Sequence, residues 1–178
     1  MSSILILGLC NPGAVFDQTY HNIGKVVIEL LAKQNQLDKK LTQSFVTYCD
    51  ALDSITLSYS NSVYMNESGA LVLQLYKKLK FTHLIALHDD LMLPVGSIKH
   101  AYGGSAKGHN GLRDIINKFS ADFHKIRIGI GHPGKGGDVA GYVTSKVGPA
   151  SWQLLLDHVK ALTLDTILDL TGLSPVHI

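Results

Sequence analysis

The sequence predicts an α/β fold in which a single domain holds a mixed β-sheet flanked by helices. Two observations support this fold class. Short apolar runs alternate along the chain with segments of helical apolar spacing, and no repeat or linker divides them. With 178 residues, 46% of them apolar and 17% charged, the chain can bury a core and is not disordered. We therefore expect a single domain over residues 1–178.

The first half of the chain begins with a predicted strand at residues 4–9. Its continuous apolar run is typical of a central strand that is covered on both faces. Residues 10–13, which include Pro12 and Gly13, then break the chain. The other elements predicted here are a helix at residues 22–34, a strand–turn–strand region at 44–65, a helix at 67–79 and a strand at 83–88 that ends at Asp89 and Asp90.

The second half supplies further alternating elements. They are a strand at residues 96–102, a glycine-rich loop at 103–108, a helix at 111–118 that starts near Asn110, a strand at 125–130, a loop at 132–137 and a C-terminal helix marked by Trp152, Leu155, Leu156, Val159 and Leu162. Ligands of α/β sheets bind beyond the carboxyl ends of the strands. The segments at 10–21, 88–90 and 103–110 each follow or end a predicted strand, so we expect a site there.

Charge and cysteine content indicate the compartment and limit the partners. The 16 Lys+Arg and 14 Asp+Glu give a formal charge of +2, so an RNA-binding surface requires local clustering of basic residues. Cys10 and Cys49 are too few for a disulfide scaffold, which favours a reducing cytoplasm. The N-terminal apolar run has no preceding basic region and is too short to span a membrane, so we expect a cytoplasmic protein without a membrane partner.

His21 and Asp89 are the candidates for acid–base chemistry. A histidine where a loop joins a helix can act as a general base, and a carboxylate at a strand end can hold its Nδ1–H. Each residue alone also fits a simpler interpretation. His21 suits a solvent-facing position at a helix start, and Asp89 suits a turn before Pro94.

Three asparagines occupy junctions between loops and regular elements: Asn11, Asn66 and Asn110. Asparagine favours helix N-caps and turns, and its amide also binds carbonyls or stabilises an oxyanion. A metal site made of His88, Asp89 and another histidine is disfavoured, because adjacent strand residues point to opposite faces. We expect no metal and no other cofactor.

The glycine-rich loop lacks the spacing of a phosphate-binding P-loop. Its basic neighbours form either a patch that binds phosphates or an ordinary solvated surface; they are Lys99, His100, Lys107, His109 and Arg113. No G-x-S-x-G elbow is present, which disfavours a serine hydrolase. Cys10 is a weak candidate for a nucleophile, since a cysteine after a buried strand behaves as a small hydrophobic residue.

Four blocks in order resemble the bacterial-type peptidyl-tRNA hydrolases, over roughly residues 3–146. They are residues 8–13 with 19–24, residues 64–69, residues 88–96 with 103–104 and 108–112, and residues 123–134. The resemblance implies hydrolysis of the ester between the peptide and the 3′ end of the tRNA by a histidine-activated water. Peptidyl-tRNA would be the partner, with no cofactor, no obligate protein partner and a monomeric chain.

The resemblance also implies roles for single residues. His21 would be the base, Asp89 would hold it, and Asn11 would be the third catalytic-site residue, distinguishing peptidyl from free aminoacyl groups. The expected substrate-binding residues are Phe16, Tyr64, Asn66 and Asn110. By resemblance, Lys99 and Arg127 are the expected tRNA phosphate contacts, and we add Lys107 to them because of its place in the basic cluster.

The chain departs from the family's usual pattern at Cys10, Tyr20 and Ala101, where the family commonly has a small residue, an arginine and a lysine. The loss of two basic residues supports one alternative, an esterase or amidase acting on small N-acylated substrates. A second alternative is a non-catalytic module that binds tRNA or peptide. The His21–Asp89 pair argues against the second, because a binder needs no base.

Overall fold

The computed structural model describes residues 3–49 and 54–174. Its seven strands form one sheet in the order β2-β3-β4-β1-β5-β7-β6. They are β1 (Ile4–Gly8), β2 (Asp38–Leu41), β3 (Phe45–Cys49), β4 (Ile55–Ser60), β5 (His83–Asp90), β6 (Ile98–Tyr102) and β7 (His124–Gly129). The four central strands are parallel, and β2, β3 and β6 pair antiparallel at the two edges. The predicted mixed sheet is therefore confirmed.

Helices cover both faces of this sheet. They are α1 (Ile23–Gln34), α2 (Ser68–Leu79), α3 (Asn110–Lys118), α4 (Val139–Thr144), α5 (Pro149–Val159) and α6 (Leu164–Thr171). Strand side chains alternate between faces, so Ile4 and Ile6 of β1 belong to one core cluster with residues of α1, α5 and α6, whereas Leu5 and Leu7 belong to a second with residues of α2 and α3. This double burial explains the unbroken apolar run of the first strand.

The C-terminal region differs from its prediction. One helix was expected, but the chain forms α4, α5 and α6. Helix α5 ends at Val159, and Leu162 is buried beyond that end. The Thr163 side chain accepts a hydrogen bond from the Thr166 backbone N–H and so starts a new helix. The apolar spacing continued across this break, which is why spacing alone suggested a single helix.

Two smaller differences concern local structure. Strand β2 was not predicted, because all four of its residues are exposed and it lacks an alternating apolar face. The interpretation of Asn110 as an N-cap is wrong, since His109 is the cap and accepts the Leu112 N–H. The predicted strands at 44–65 are β3 and β4, and residues 50–53 between them lie outside the described residues, as do the two chain termini. In the described ranges no helix has both the length and the apolar character needed to cross a membrane.

Candidate active site

A cavity of about 850 Å³ opens at the carboxyl end of β5. Its lining includes residues from the three segments that the sequence placed beyond strand ends, at 10–21, 88–90 and 103–110, together with residues of 65–66, β7 and α4. The polar lining that concerns chemistry consists of Asn11, His21, Asn66, Asp89, His109 and Asn110. The topology therefore concentrates the candidate groups at one edge of the sheet, as expected for an α/β fold.

His21 and Asp89 are in direct contact. His21 lies on a 3-10 turn, Tyr20–Asn22, that leads into α1, and its Nδ1 is 3.0 and 2.9 Å from the two carboxylate oxygens of Asp89. Both residues are buried, 8% and 4% exposed. An ionised carboxylate only accepts hydrogen bonds, so Nδ1 carries the hydrogen. In the neutral ring Nε2 then keeps its lone pair.

His109 is a second partner of the same carboxylate. Its Nε2 lies 3.0 Å from Asp89 Oδ1, and its Nδ1 accepts the Leu112 N–H at 3.3 Å. Because Nδ1 accepts, the ring donates to Asp89 through its Nε2–H. The sequence analysis placed His109 only in a basic patch and missed this contact. The available signal was its position in the third loop that reaches the same sheet edge.

The Asp89 carboxylate remains ionised in this setting. Burial alone raises its pKa, but the neighbouring His109 and His21 outweigh burial and hold the pKa below its ordinary value. The carboxylate is therefore a permanent acceptor at neutral pH and fixes the orientation of both imidazole rings. The nitrogen and oxygen atoms that His21, Asp89 and His109 offer all lie within 4.8 Å of one another.

His88 lies beside this cluster, with its ring packed edge to face against the His109 ring at a centroid distance of 5.1 Å. Its Nδ1 donates to the Asp89 carbonyl oxygen at 2.8 Å, and burial, with a contribution from His109, lowers its pKa to about 3. The ring is therefore neutral. Among the described residues, its Nε2 is the one buried side-chain nitrogen or oxygen without a hydrogen-bond partner. The structure gives no support to a site in which His88 and Asp89 share one ligand.

The three predicted asparagines differ in how firmly they are held. Asn11 Oδ1 accepts the Met65 N–H at 2.9 Å, and the Asn22 side chain accepts from Asn11 N and donates to Asn11 O. These bonds orient Asn11 with its Nδ2 uncommitted at the cavity wall. Asn66 and Asn110 are exposed on other walls. The sequence analysis missed Asn22, whose buried amide organises the loop.

Phe16 and Tyr64 lie outside the cavity lining. Their rings pack edge to face with centroids 6.3 Å apart, and Tyr64 directly precedes Met65. Tyr64 is 51% exposed. The structure thus brings this predicted pair into contact with each other.

Arg127 and Lys107 line the cavity, whereas Lys99 does not. Arg127 Nε donates to Asp90 Oδ2 at 2.7 Å. Burial raises the pKa of Asp90, but the hydrogen bonds from Arg127 and from the Met92 N–H lower it by more. The net pKa is therefore below its ordinary value. Lys99 lies directly across from Arg127 in the β6–β7 register and is exposed.

Lys125 is a cation that the sequence analysis did not consider. It is 4% exposed, and its Nζ donates to the carbonyl oxygens of Gly103, Gly104 and Ser105 at 2.7, 3.3 and 3.2 Å. One buried lysine therefore holds three consecutive carbonyls of the glycine-rich loop. Burial lowers its pKa, with contributions from Lys107 and Arg127. A lysine inside an otherwise buried strand was the missed signal.

Cys10 is not placed for nucleophilic chemistry. Its side chain is buried in the core, and its Sγ faces the Ser60 carbonyl oxygen at 3.7 Å. Burial raises the pKa of the thiol to about 12, so the reactive thiolate is absent at neutral pH. The structure supports the interpretation of Cys10 as a small hydrophobic residue.

Comparisons with known proteins agree on one family. The family model described as peptidyl-tRNA hydrolase matches residues 5–171. A peptidyl-tRNA hydrolase of Photorhabdus laumondii is 41% identical over 166 residues, covering 88% of this chain and 84% of the relative. One from Proteus mirabilis is 40% identical with the same coverage. The crystal structure of the Acinetobacter baumannii peptidyl-tRNA hydrolase matches with a TM-score of 0.81 and 32% identity, covering 96% of this chain and 89% of that one.

Proposed function

The chain belongs to the peptidyl-tRNA hydrolase family, whose members are ester hydrolases acting on peptidyl-tRNA, and we propose that it performs this reaction with a water molecule activated by His21. The observation that carries the proposal is the buried contact between His21 Nδ1 and Asp89. This contact leaves Nε2 of the neutral ring as the proton acceptor at the edge of the cavity.

The proposed reaction needs one base and no covalent intermediate. His21 Nε2 takes a proton from water while the water oxygen attacks the carbonyl carbon of the peptide's last residue. The tetrahedral intermediate then expels the ribose 3′ oxygen, which receives the proton back from the imidazolium. The products are a tRNA with a free 3′ hydroxyl and a peptide carboxylic acid, which releases its proton to solvent and becomes the carboxylate. An ester is reactive enough for a positioned water to suffice.

Asp89 and His109 support this base from behind. The Asp89 carboxylate keeps the hydrogen on His21 Nδ1 and stabilises the imidazolium that forms during turnover. His109 donates to Asp89 Oδ1 and holds the carboxylate in place. We assign His109 a positioning role, because its contact with the reacting atoms runs through Asp89.

In this proposal the asparagine amides and the basic residues bind different parts of the substrate. The Asn11 amide donates to the peptidyl carbonyl, and Asn66 and Asn110 bind the peptide backbone and the tRNA 3′ end. Phe16 and Tyr64 contact the substrate beyond the cavity. Lys107 and Arg127 contact phosphates at the cavity, and Lys99 extends that contact along the exposed edge of β6.

Several expectations from the sequence remain predictions. They are a single domain over residues 1–178, a monomer without an obligate protein partner, a cytoplasmic location and a reaction without metal or organic cofactor. The two alternative functions, a small-substrate N-acyl hydrolase and a non-catalytic binding module, also remain to be separated by experiment. A preference for the tRNA-linked substrate that weakens as salt rises would reject the first alternative.

The test is the release of a labelled N-acetylated amino acid from its tRNA by the wild type, His21→Ala and His100→Ala. His100 lies on β6 outside the cavity lining and serves as the matched control. We expect His21→Ala to lose about 10²- to 10⁴-fold in rate, the contribution of a general base. His100→Ala should retain activity. An active His21→Ala variant, or an inert wild type that still binds tRNA, would overturn the proposal.

A further inference from the structure

His21, Asp89 and His109 present a set of ligands as well as a proton-transfer system. Two imidazole nitrogens and one carboxylate oxygen suit Zn²⁺ and neighbouring divalent transition metals. We propose that this cluster binds one such ion and that the bound ion inhibits the hydrolase. Only the inhibition rests on the function proposed above, since binding requires the three side chains alone.

The distances within the cluster are close to those of a metal site. His21 Nδ1 and His109 Nε2 each lie 3.0 Å from Asp89 Oδ1, and the three ligand atoms all lie within 4.8 Å of one another. Two ligand atoms at about 2.1 Å from one tetrahedral Zn²⁺ lie about 3.4 Å apart. Each contact with Asp89 Oδ1 therefore has to widen by about half an ångström, and the two imidazole nitrogens have to lie about 3.4 Å apart.

The cavity supplies the route and the open coordination position. All three residues line it, so an ion can enter from solvent and keep a water ligand on the cavity side. The Asp89 side chain is only 2% exposed, which limits competition from bulk water for its oxygen atoms. The site is therefore accessible and largely preformed.

The ligand set also predicts selectivity and moderate affinity. Mg²⁺, which accompanies tRNA, prefers oxygen ligands in an octahedral arrangement and finds one carboxylate here. Coordination through His109 Nε2 would move that ring's hydrogen to Nδ1, where it would face the Leu112 N–H. Such a mismatch behind a ligand weakens metal binding by about 10- to 100-fold, so we expect a reversible site.

Inhibition follows from the same shift of hydrogen atoms. A neutral His21 that binds metal through Nδ1 must carry its hydrogen on Nε2. The nitrogen that takes the proton from water is then already protonated. No electron is transferred and no covalent bond is broken besides the relocation of that N–H, so removal of the ion should restore the base.

The binding test is calorimetric titration of the full chain with ZnCl₂, in the wild type and in two variants, His109→Asn and His132→Asn. His132 also lines the cavity but lies outside the cluster, so it controls for general binding by cavity histidines. We expect one Zn²⁺ per wild-type chain, at least about tenfold weaker binding in His109→Asn, and unchanged binding in His132→Asn. No binding, or equal binding by wild type and His109→Asn, would overturn the proposal.

Two further readouts keep the proposal decisive. If His109→Asn fails to fold, the visible spectrum of Co²⁺ added to the wild type should show tetrahedral bands, and their absence would overturn the site. The rate of hydrolysis should fall on addition of Zn²⁺, recover when a chelator is added and stay unchanged on addition of Mg²⁺. Saturating Zn²⁺ that leaves hydrolysis unchanged would overturn the inhibition, whereas a wild type inert without metal would refute the proposed function and leave the binding result standing.

Discussion

Asp89 and Asp90 are neighbouring carboxylates at the end of β5 that contact different kinds of side chain. Asp89 meets two imidazole rings, those of His21 and His109. Asp90 meets the guanidinium of Arg127. The difference follows from strand geometry, because adjacent side chains point to opposite faces of the sheet. One face of the strand end therefore contacts His21, the proposed base, and the other contacts a cation at the cavity wall.

The largest effect on activity should come from substituting Asp89. In Asp89→Asn the amide can accept from only one ring, and its own N–H₂ group disfavours the Nδ1–H form of His21. We expect kcat to fall by about 10²- to 10⁴-fold, with KM changed little. Single-turnover hydrolysis of N-acetyl-aminoacyl-tRNA measures the loss of rate in the chemical step. Asp90→Asn is the matched control, and an equal loss of kcat in both variants would contradict the division of roles.

A smaller effect should come from the cation on the other face. Arg127→Gln removes a positive charge from the cavity but leaves the His21–Asp89 contact intact. We expect KM to rise about tenfold, kcat to stay within a few-fold, and the dependence of binding on log salt to become shallower by about one unit. Binding of uncharged tRNA at several salt concentrations checks this. A variant with normal KM and depressed kcat would show that Arg127 acts in the reaction.

The third prediction concerns the loop that completes the cavity. Lys125→Met removes the three hydrogen bonds to the carbonyls of residues 103–105. We expect the free energy of unfolding to fall by about 2 kcal/mol and hydrogen exchange in this loop to accelerate. Lys107→Met, at an exposed position of the same loop, should change stability by less than about 0.5 kcal/mol. Equal stability of the two variants would show that Lys125 does not hold the loop.

The smallest effect is on stability in acid. The pKa values of Asp89 and Asp90 are lower in the folded protein than their ordinary values. Their contribution is therefore present above the unfolded value of about 3.9 and is lost as pH falls through the folded values. Denaturant unfolding between pH 7 and pH 2 should show stability falling below about pH 4. Asp89→Asn should flatten that slope, and an unchanged slope would contradict the assigned ionisation.

The sequence indicated which candidate residues would lie together beyond the strand ends. His21, Asp89 and Asn11 follow or end apolar runs, so parallel packing brings them to one edge. His109 was missed because its contact depends on the path of residues 103–108, where Gly103, Gly104, Lys107 and Gly108 all adopt positive φ. Residue spacing carries no information on such a path.

Prediction of the fold succeeded where burial leaves a periodic pattern. The central strands and helices α1 to α3 bury apolar residues whose spacing in the sequence predicts a strand or a helix. The exposed strand β2 and the breaks between α4, α5 and α6 have no such signal, since hydrogen bonding and capping decide them. Lys125 belongs with these cases, because its burial is compensated by loop carbonyls that are distant in the sequence.

The central claim is that His21 presents a bare Nε2 while Nδ1 carries the hydrogen bonded to Asp89. Nitrogen-15 NMR of the imidazole rings in the neutral form reports this directly, with His21→Asn used to assign the signals. We predict a protonated Nδ1 and an unprotonated Nε2 for His21. A protonated Nε2 in the free enzyme would contradict the account, because that nitrogen then has no lone pair to accept the proton of the attacking water.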